Sequence, residues 1–105
     1  MKLIRLHEDA FQDMDEISAR IGQDSPRASV RFLEAAQETF DRIAEMPGIG
    51  ALRNYGNPAL TGLRVSLIPG FLNYGIYYLT TAETVEILRV IHGSRNLDAI
   101  FAPDP

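Results

Sequence analysis

Cysteine is absent from this 105-residue chain. That excludes a disulfide framework and any thiolate-ligated metal site, and it is compatible with a cytoplasmic location. Lysine is almost absent: Lys2 stands alone, and none lies near the C-terminal strands. The formal net charge is -4, with six basic and ten acidic residues in positions 1–50 and four of each in positions 51–105. A protein that grips RNA or DNA through many phosphates carries a basic face, so direct nucleic-acid binding is not expected. No apolar run is long enough to cross a bilayer, which argues against a membrane partner. The segment Met1–His7 has no apolar stretch of the signal-peptide type. The glycines complete neither a GxGxxG nor a GxxxxGK pattern, and no cofactor or metal is expected.

What is present is enough for one folded domain, residues 1–105. A hydrophobic fraction of 46% without low-complexity runs fits a globule with a single modest core. The stretch Thr84–Asn96 organises the rest. Val85, Ile87, Leu88, Val90 and Ile91 suit a packed strand, and alternation puts Leu88, Val90 and His92 on one face and Val85, Ile87, Arg89 and Ile91 on the other. A strand apolar on both faces belongs in the middle of a covered sheet. Gly93 then breaks it, and Arg95 follows in the turn.

Earlier elements supply the cover. Residues 2–7 read as a strand. Ala10, Phe11, Met14, Ile17 and Ile21 make one helical stripe from about Glu8 to Ile21, with Gly22 as the residue just past its end. The acidic run Asp13, Asp15, Glu16 reads as a solvated helix face rather than a metal cluster. Ser25-Pro26 is an N-cap with proline in the first turn. The stripe Val30, Phe32, Leu33, Ala36, Phe40, Ile43, Ala44 runs on until Met46-Pro47-Gly48. So short a connection predicts an antiparallel helical hairpin. Residues 47–62, rich in glycine and proline, form a long loop that Leu52 and Tyr55 could anchor.

Strands follow at Leu63–Ile68, Phe71 to about Leu79, and the organising stretch. With tight, even hairpins, Arg64, Gly75 and Arg89 form one row facing away from the helices. Leu63, Ile76 and Leu88 form a second row, and Val65, Tyr74 and Val90 a third, both against the helices; a slip of one residue would reverse this. Leu97, Ile100 and Phe101, in the tail Leu97–Pro105, fold back onto the sheet edge. The class is α+β: an N-terminal strand and an antiparallel helical hairpin on a mainly antiparallel sheet.

No catalytic constellation stands out. His92 lacks a Cys, Ser or carboxylate partner at a familiar spacing and reads as a capping or core histidine. For Arg64 and Arg89 two readings stand: bidentate contact with a partner's carboxylate, or an internal bridge to Glu83, Glu86 or Asp98. Arg95 reads as a turn residue donating to backbone carbonyls. Alternation places Tyr74 and Tyr78 in the core rather than on a base-stacking surface. Phe71, Ile87 and Ile91 suggest a second apolar face, covered by the tail with Phe101 or by a partner.

The pieces Gly62-Leu63-Arg64, Tyr74-Gly75-Ile76-Tyr77-Tyr78 and Ile87-Leu88-Arg89-Val90-Ile91-His92-Gly93-Ser94-Arg95-Asn96 resemble the RelE/ParE toxin superfamily. Asp24-Ser25-Pro26-Arg27-Ala28 and Met46-Pro47-Gly48-Ile49-Gly50 are similar to its helical-hairpin signals. The resemblance covers nearly the whole chain, and the Arg89–Arg95 segment is similar to the ParE branch. It implies a bacterial type II toxin, of the plasmid-stabilisation kind, neutralised in a hetero-oligomer by a ParD-like antitoxin, with DNA gyrase as target and no nuclease chemistry. The RelE branch implies instead a ribosome-dependent mRNA endonuclease. Its strand arginine falls on Gly75 and its C-terminal tyrosine near Phe101, while its turn arginine is matched by Arg95. RNA cleavage needs a base for the 2′-hydroxyl and charge for the phosphate, and most of that equipment is missing. A degenerate toxin that only binds antitoxin is the third reading. The expected contact residues for target or antitoxin are Arg64, Arg89, His92, Arg95, Phe71, Ile87, Ile91 and Phe101.

Overall fold

In the computed structural model, which describes residues 1–104 and leaves Pro105 of the expected tail outside them, one serine both ends a helix and starts the next. Helix α1 (Glu8–Asp24) runs to within one residue of α2 (Pro26–Glu45). The backbone N–H of Ser25 donates to Ile21 O at 2.9 Å, and its hydroxyl accepts from the Ala28 N–H at 3.1 Å. The expected stop at Gly22 is therefore corrected: Gly22 sits inside α1 beside Ser29, and the helix continues to Asp24, with the Ser25 N–H closing on the Ile21 carbonyl.

The sheet has the order β1-β5-β4-β3-β2. Its strands are β1 (Leu3–Leu6), β2 (Ala51–Leu52), β3 (Arg64–Ile68), β4 (Phe71–Thr80) and β5 (Thr84–His92), and a short helix, α3 (Leu97–Phe101), follows. β1 joins β5 in parallel and all other pairs are antiparallel, so the α+β architecture is the expected one. The hairpin packs on one face around Phe32, Ala36, Phe40, Ile43, Ile68, Ile76, Tyr78, Val85, Ile87 and Val90. Phe32 meets Phe71 and Tyr74 edge-on, with centroids 5.3 and 5.6 Å away. On the opposite face Leu63, Val65, Tyr77, Ile91 and Phe101 form a second core, with Leu88, Leu97 and Ile100 packed against it. The tail does fold back, but onto this face of the sheet rather than onto its edge as expected.

The register differs from the even one. Ile68 pairs with Phe71, but Leu67 pairs with Gly75, so three residues of β4 bulge out after the Pro69-Gly70 turn. A second irregularity puts Tyr78 opposite Ile87 but Tyr77 opposite Arg89, leaving Leu88 as the extra residue. An odd shift turns a strand over. Leu63, Val65 and Leu88 consequently face the tail, while Ile76, Tyr74 and Val90 face the helices. The expected row of Arg64, Gly75 and Arg89 does not form: Arg64 lies opposite Tyr78, Arg89 opposite Tyr77, and Gly75 between Leu67 and Ile91.

The long loop is folded. A 3-10 turn spans Pro47–Ile49 and another Pro58–Leu60. Tyr55 stacks on Phe101 at 5.2 Å and anchors the loop, whereas Leu52 is 60% exposed and does not. Tyr78 ties down the other end: its hydroxyl donates to Pro47 O at 2.7 Å and accepts from the Gly50 N–H at 2.9 Å. Burial raises the Tyr78 pKa, so the hydroxyl keeps the proton that the first bond uses. A side chain at Gly50 would put its Cβ 2.6 Å from that oxygen and 2.9 Å from Val65 O. Tyr78→Phe is expected to lower unfolding free energy by about 1–2 kcal/mol, since both backbone partners lose their bond; urea unfolding measures it.

Candidate functional site

The two strand arginines are structural. Arg64 Nη1 donates to Gly50 O at 2.7 Å and to Gly48 O at 3.2 Å, holding the loop against β3. Arg89 makes a two-pronged contact with Asp13 of α1: Nε donates to Oδ2 at 2.7 Å and Nη2 to Oδ1 at 2.9 Å. Asp13 Oδ2 also accepts the backbone N–H of Val90 at 2.9 Å. β1 pairs with β5 only as far as Leu6 opposite Ile87. Beyond that point a carboxylate on α1 does what the next strand residue would have done. The bonds to Asp13 push the Arg89 pKa further up.

The expected bridges from Arg64 or Arg89 to Glu83, Glu86 or Asp98 are thus replaced by backbone carbonyls and by Asp13. Asp13 is also not part of a solvated acidic face: it is 8% exposed. Its position carries a signal after all, because Ala10, Asp13, Met14 and Ile17 share the inward face of α1, and an aspartate on such a face requires a partner. Among the described residues no three metal-ligating side chains gather.

Of the expected apolar contacts, Phe71 and Ile87 lie on the helix side, not on the far face. Ile91 and Phe101 do lie on the far face but bury one another there. Ile87, Ile91 and Phe101 are each under 5% exposed, so they present no surface to a partner in this conformation. Tyr77, in the same core, has its pKa pushed up to about 12 by burial and by the neighbouring Tyr55.

His92 and Arg95 come together elsewhere. They line a polar cleft of about 330 Å3 with Asp13, Glu16, Arg20, Tyr74 and Ser94, at the end of β5. His92 Nδ1 accepts from the Ser94 N–H at 3.0 Å, and the ring meets Tyr74 edge-on at 5.0 Å. His92 is therefore the capping histidine that the sequence suggests. Arg95 makes no side-chain hydrogen bond or ion pair among the described residues, although its N–H bonds His92 O, so the expected donation to carbonyls comes from its backbone. The eight expected contact residues do not converge on one surface.

A third polar cluster joins β1 to β5. Glu86 Oε2 accepts from the Thr84 hydroxyl at 2.6 Å, and Oε1 pairs with His7 Nε2 at 2.9 Å and with Arg5 at 3.6 Å. The Thr84 and His7 bonds hold the Glu86 carboxyl below its ordinary value of 4.5. A carboxylate whose folded pKa is lowered contributes stability that is complete above its unfolded pKa and is lost as pH falls through the folded one. Urea midpoints of the parent chain are expected to fall below about pH 4.5 more steeply than those of Glu86→Gln, which lacks the group.

Residues 4–97 match the family described as ParE toxin of type II toxin-antitoxin system, parDE. No curated protein sequence matches significantly. Among solved structures, a chain of the chromosomal ParDE TA system from P. aeruginosa is similar, with a TM-score of 0.69 and 17% identity, over 88% of this chain and 96% of that one. At that identity the likeness speaks for the fold alone. The family match spans all but the first three and last eight residues, and the chain belongs to the ParE toxin family of type II toxin-antitoxin systems.

Proposed function

We propose that this chain is a ParE-type toxin that acts in the cytoplasm by inhibiting DNA gyrase, without nuclease chemistry, and that a ParD-like antitoxin holds it inactive in a hetero-oligomer. A part in plasmid stabilisation goes with that reading. The observation that carries it is the commitment of the sheet arginines. Arg64 serves the loop and Arg89 serves Asp13, and Gly75 offers no side chain. The sheet face turned away from the helices is filled by Leu63, Val65, Tyr77, Ile91 and Phe101. A ribosome-dependent nuclease would need cations and a proton acceptor on an open surface to act on a phosphodiester; Arg95 alone of the expected sheet and turn arginines is free for that work.

Antitoxin contact is better sought on exposed apolar residues than on the buried set. Leu52 of β2 and Leu67 of β3 are 60% and 51% exposed, and Leu72, in the β4 bulge after the turn from β3, is 64% exposed. There β2 spans only two residues, and the part of β3 beyond Val65 has no outer strand. Such an edge accepts an added strand. Induced expression in a bacterium, with and without the neighbouring upstream gene, tests the toxin reading. Growth arrest that the second gene relieves, with the two products co-purifying, is expected. Normal growth in both cases would leave a degenerate toxin.

A further inference from the structure

The cleft at the end of β5 has a charge pattern that the toxin reading does not use. Its walls come from α1 (Asp13, Glu16, Arg20), from Tyr74 of β4, and from the β5 end with its turn (His92, Ser94, Arg95). Asp13 is already spoken for by Arg89 and the Val90 N–H. The charges left are Glu16, Arg20 and Arg95. Among the described residues neither Arg20 nor Arg95 forms an ion pair, since the pairs that form are Arg5 and His7 with Glu86 and Arg89 with Asp13. In a chain of net charge -4, two unpaired guanidinium groups therefore face one concavity. With Nδ1 of His92 accepting from Ser94, the ring donor is Nε2, which has no partner among the described residues. The Tyr74 hydroxyl has none either. Two exposed guanidinium groups and two half-buried polar rings, Tyr74 and His92, thus line one polar hollow, a donor-rich lining that suits an acceptor.

We infer that this cleft binds a carboxylate, with the guanidinium groups of Arg20 and Arg95 as its charged donors and His92 Nε2 and the Tyr74 hydroxyl as further donors. A carboxylate matches the guanidinium fork in shape and charge. Glu16 on the same wall repels a dianion more strongly than a monoanion, which favours a carboxylate over a phosphate monoester. The acidic run of α1, Glu8, Asp9, Asp15 and Glu16, disfavours a nucleic-acid backbone on the same ground. The volume admits one acidic side chain or a small free acid. This site stands apart from the gyrase reading, and either can fail alone.

The test is an NMR titration of the full chain, following backbone and arginine side-chain signals, with propionate, a monoanion, with the capped peptide acetyl-Gly-Glu-Gly-amide, and with inorganic phosphate. Shifts are expected at Tyr74, His92, Ser94 and Arg95 with both carboxylates. Arg95→Gln and Arg20→Gln should each weaken binding roughly fivefold, the upper end for exposed ion pairs. Glu16→Gln should tighten it, because a competitor for Arg20 is gone. Arg27→Gln, which removes the same charge from the first turn of α2, should change nothing. Tighter binding of the peptide would identify the source as a partner's acidic side chain. Tighter binding of propionate would identify it as a free acid. Carboxylates that leave the cleft signals unmoved, phosphate saturating it in their place, or equal weakening by Arg27→Gln would overturn the site.

Discussion

Asp13→Ala is expected to lower the unfolding free energy by about 2–4 kcal/mol, among the largest single effects in the chain. Breaking a buried pair by removing one partner strands the other charge, at about 3–5 kcal/mol for fully buried sites. Here the side chains keep 10% exposure at Asp13 and 24% at Arg89, and water reaching the guanidinium reduces the cost. The Val90 N–H adds to it, since it loses the carboxylate oxygen it donates to beyond the end of β1. Asp13→Asn should recover part of the loss, because an amide oxygen can still accept from Val90 while the paired charge is gone. Chemical unfolding of the two variants beside Arg89→Gln measures this. Equal losses in the alanine and asparagine variants would mean that the Val90 bond contributes nothing.

Gly75→Arg is expected to cost about 3 kcal/mol or to abolish folding, and to confer no nuclease activity. The position is where the nuclease branch of the superfamily would have its strand arginine. In this chain a Cβ at Gly75 would lie 2.7 Å from Val65 Cγ2 and 3.3 Å from Tyr77 Cε2. Both neighbours belong to the tail-side core, so relief requires moving packed side chains, and overpacking of this kind costs about 1–3 kcal/mol even for small additions. Gly75→Ala measures the Cβ alone and should fall at the low end of that range. A stable Gly75→Arg chain that cuts ribosome-bound mRNA would mean that the face can open, and that the missing arginine was all that separated this protein from a nuclease.

The helices were legible because side-chain period and caps agree. The stripes through Ala10, Met14 and Ile17 and through Phe32, Ala36, Phe40 and Ile43 are buried, and Ser25 caps where its sequence says it should. Phe11, Val30 and Leu33 fit the same period and are 57%, 54% and 42% exposed: periodicity shows which face turns inward but not how wide the cover is. Strand register was not legible. It depends on where the β4 bulge and the extra Leu88 fall, and these are backbone irregularities that alternation does not mark. One odd shift moved Leu63 and Val65 to the tail side, and with them the expected arginine row dissolved. The site suffered most, since Phe71, Ile87 and Ile91 look the same in sequence whether a partner or the chain itself covers them. Asp13 is the instructive miss. Its place on the inward face of α1 was visible, but its partners lie 76 and 77 residues away.

The most direct test of the central claim is a supercoiling assay with purified gyrase and the purified chain, run beside an assay for cuts in mRNA on translating ribosomes. Supercoiling is expected to be inhibited while the mRNA stays intact, and the inhibition to disappear when the antitoxin is added. Codon-phased cuts with unaffected gyrase would contradict it. They would put chemistry on Arg95 and His92 and require Arg64 or Arg89 to leave the contacts that now hold them.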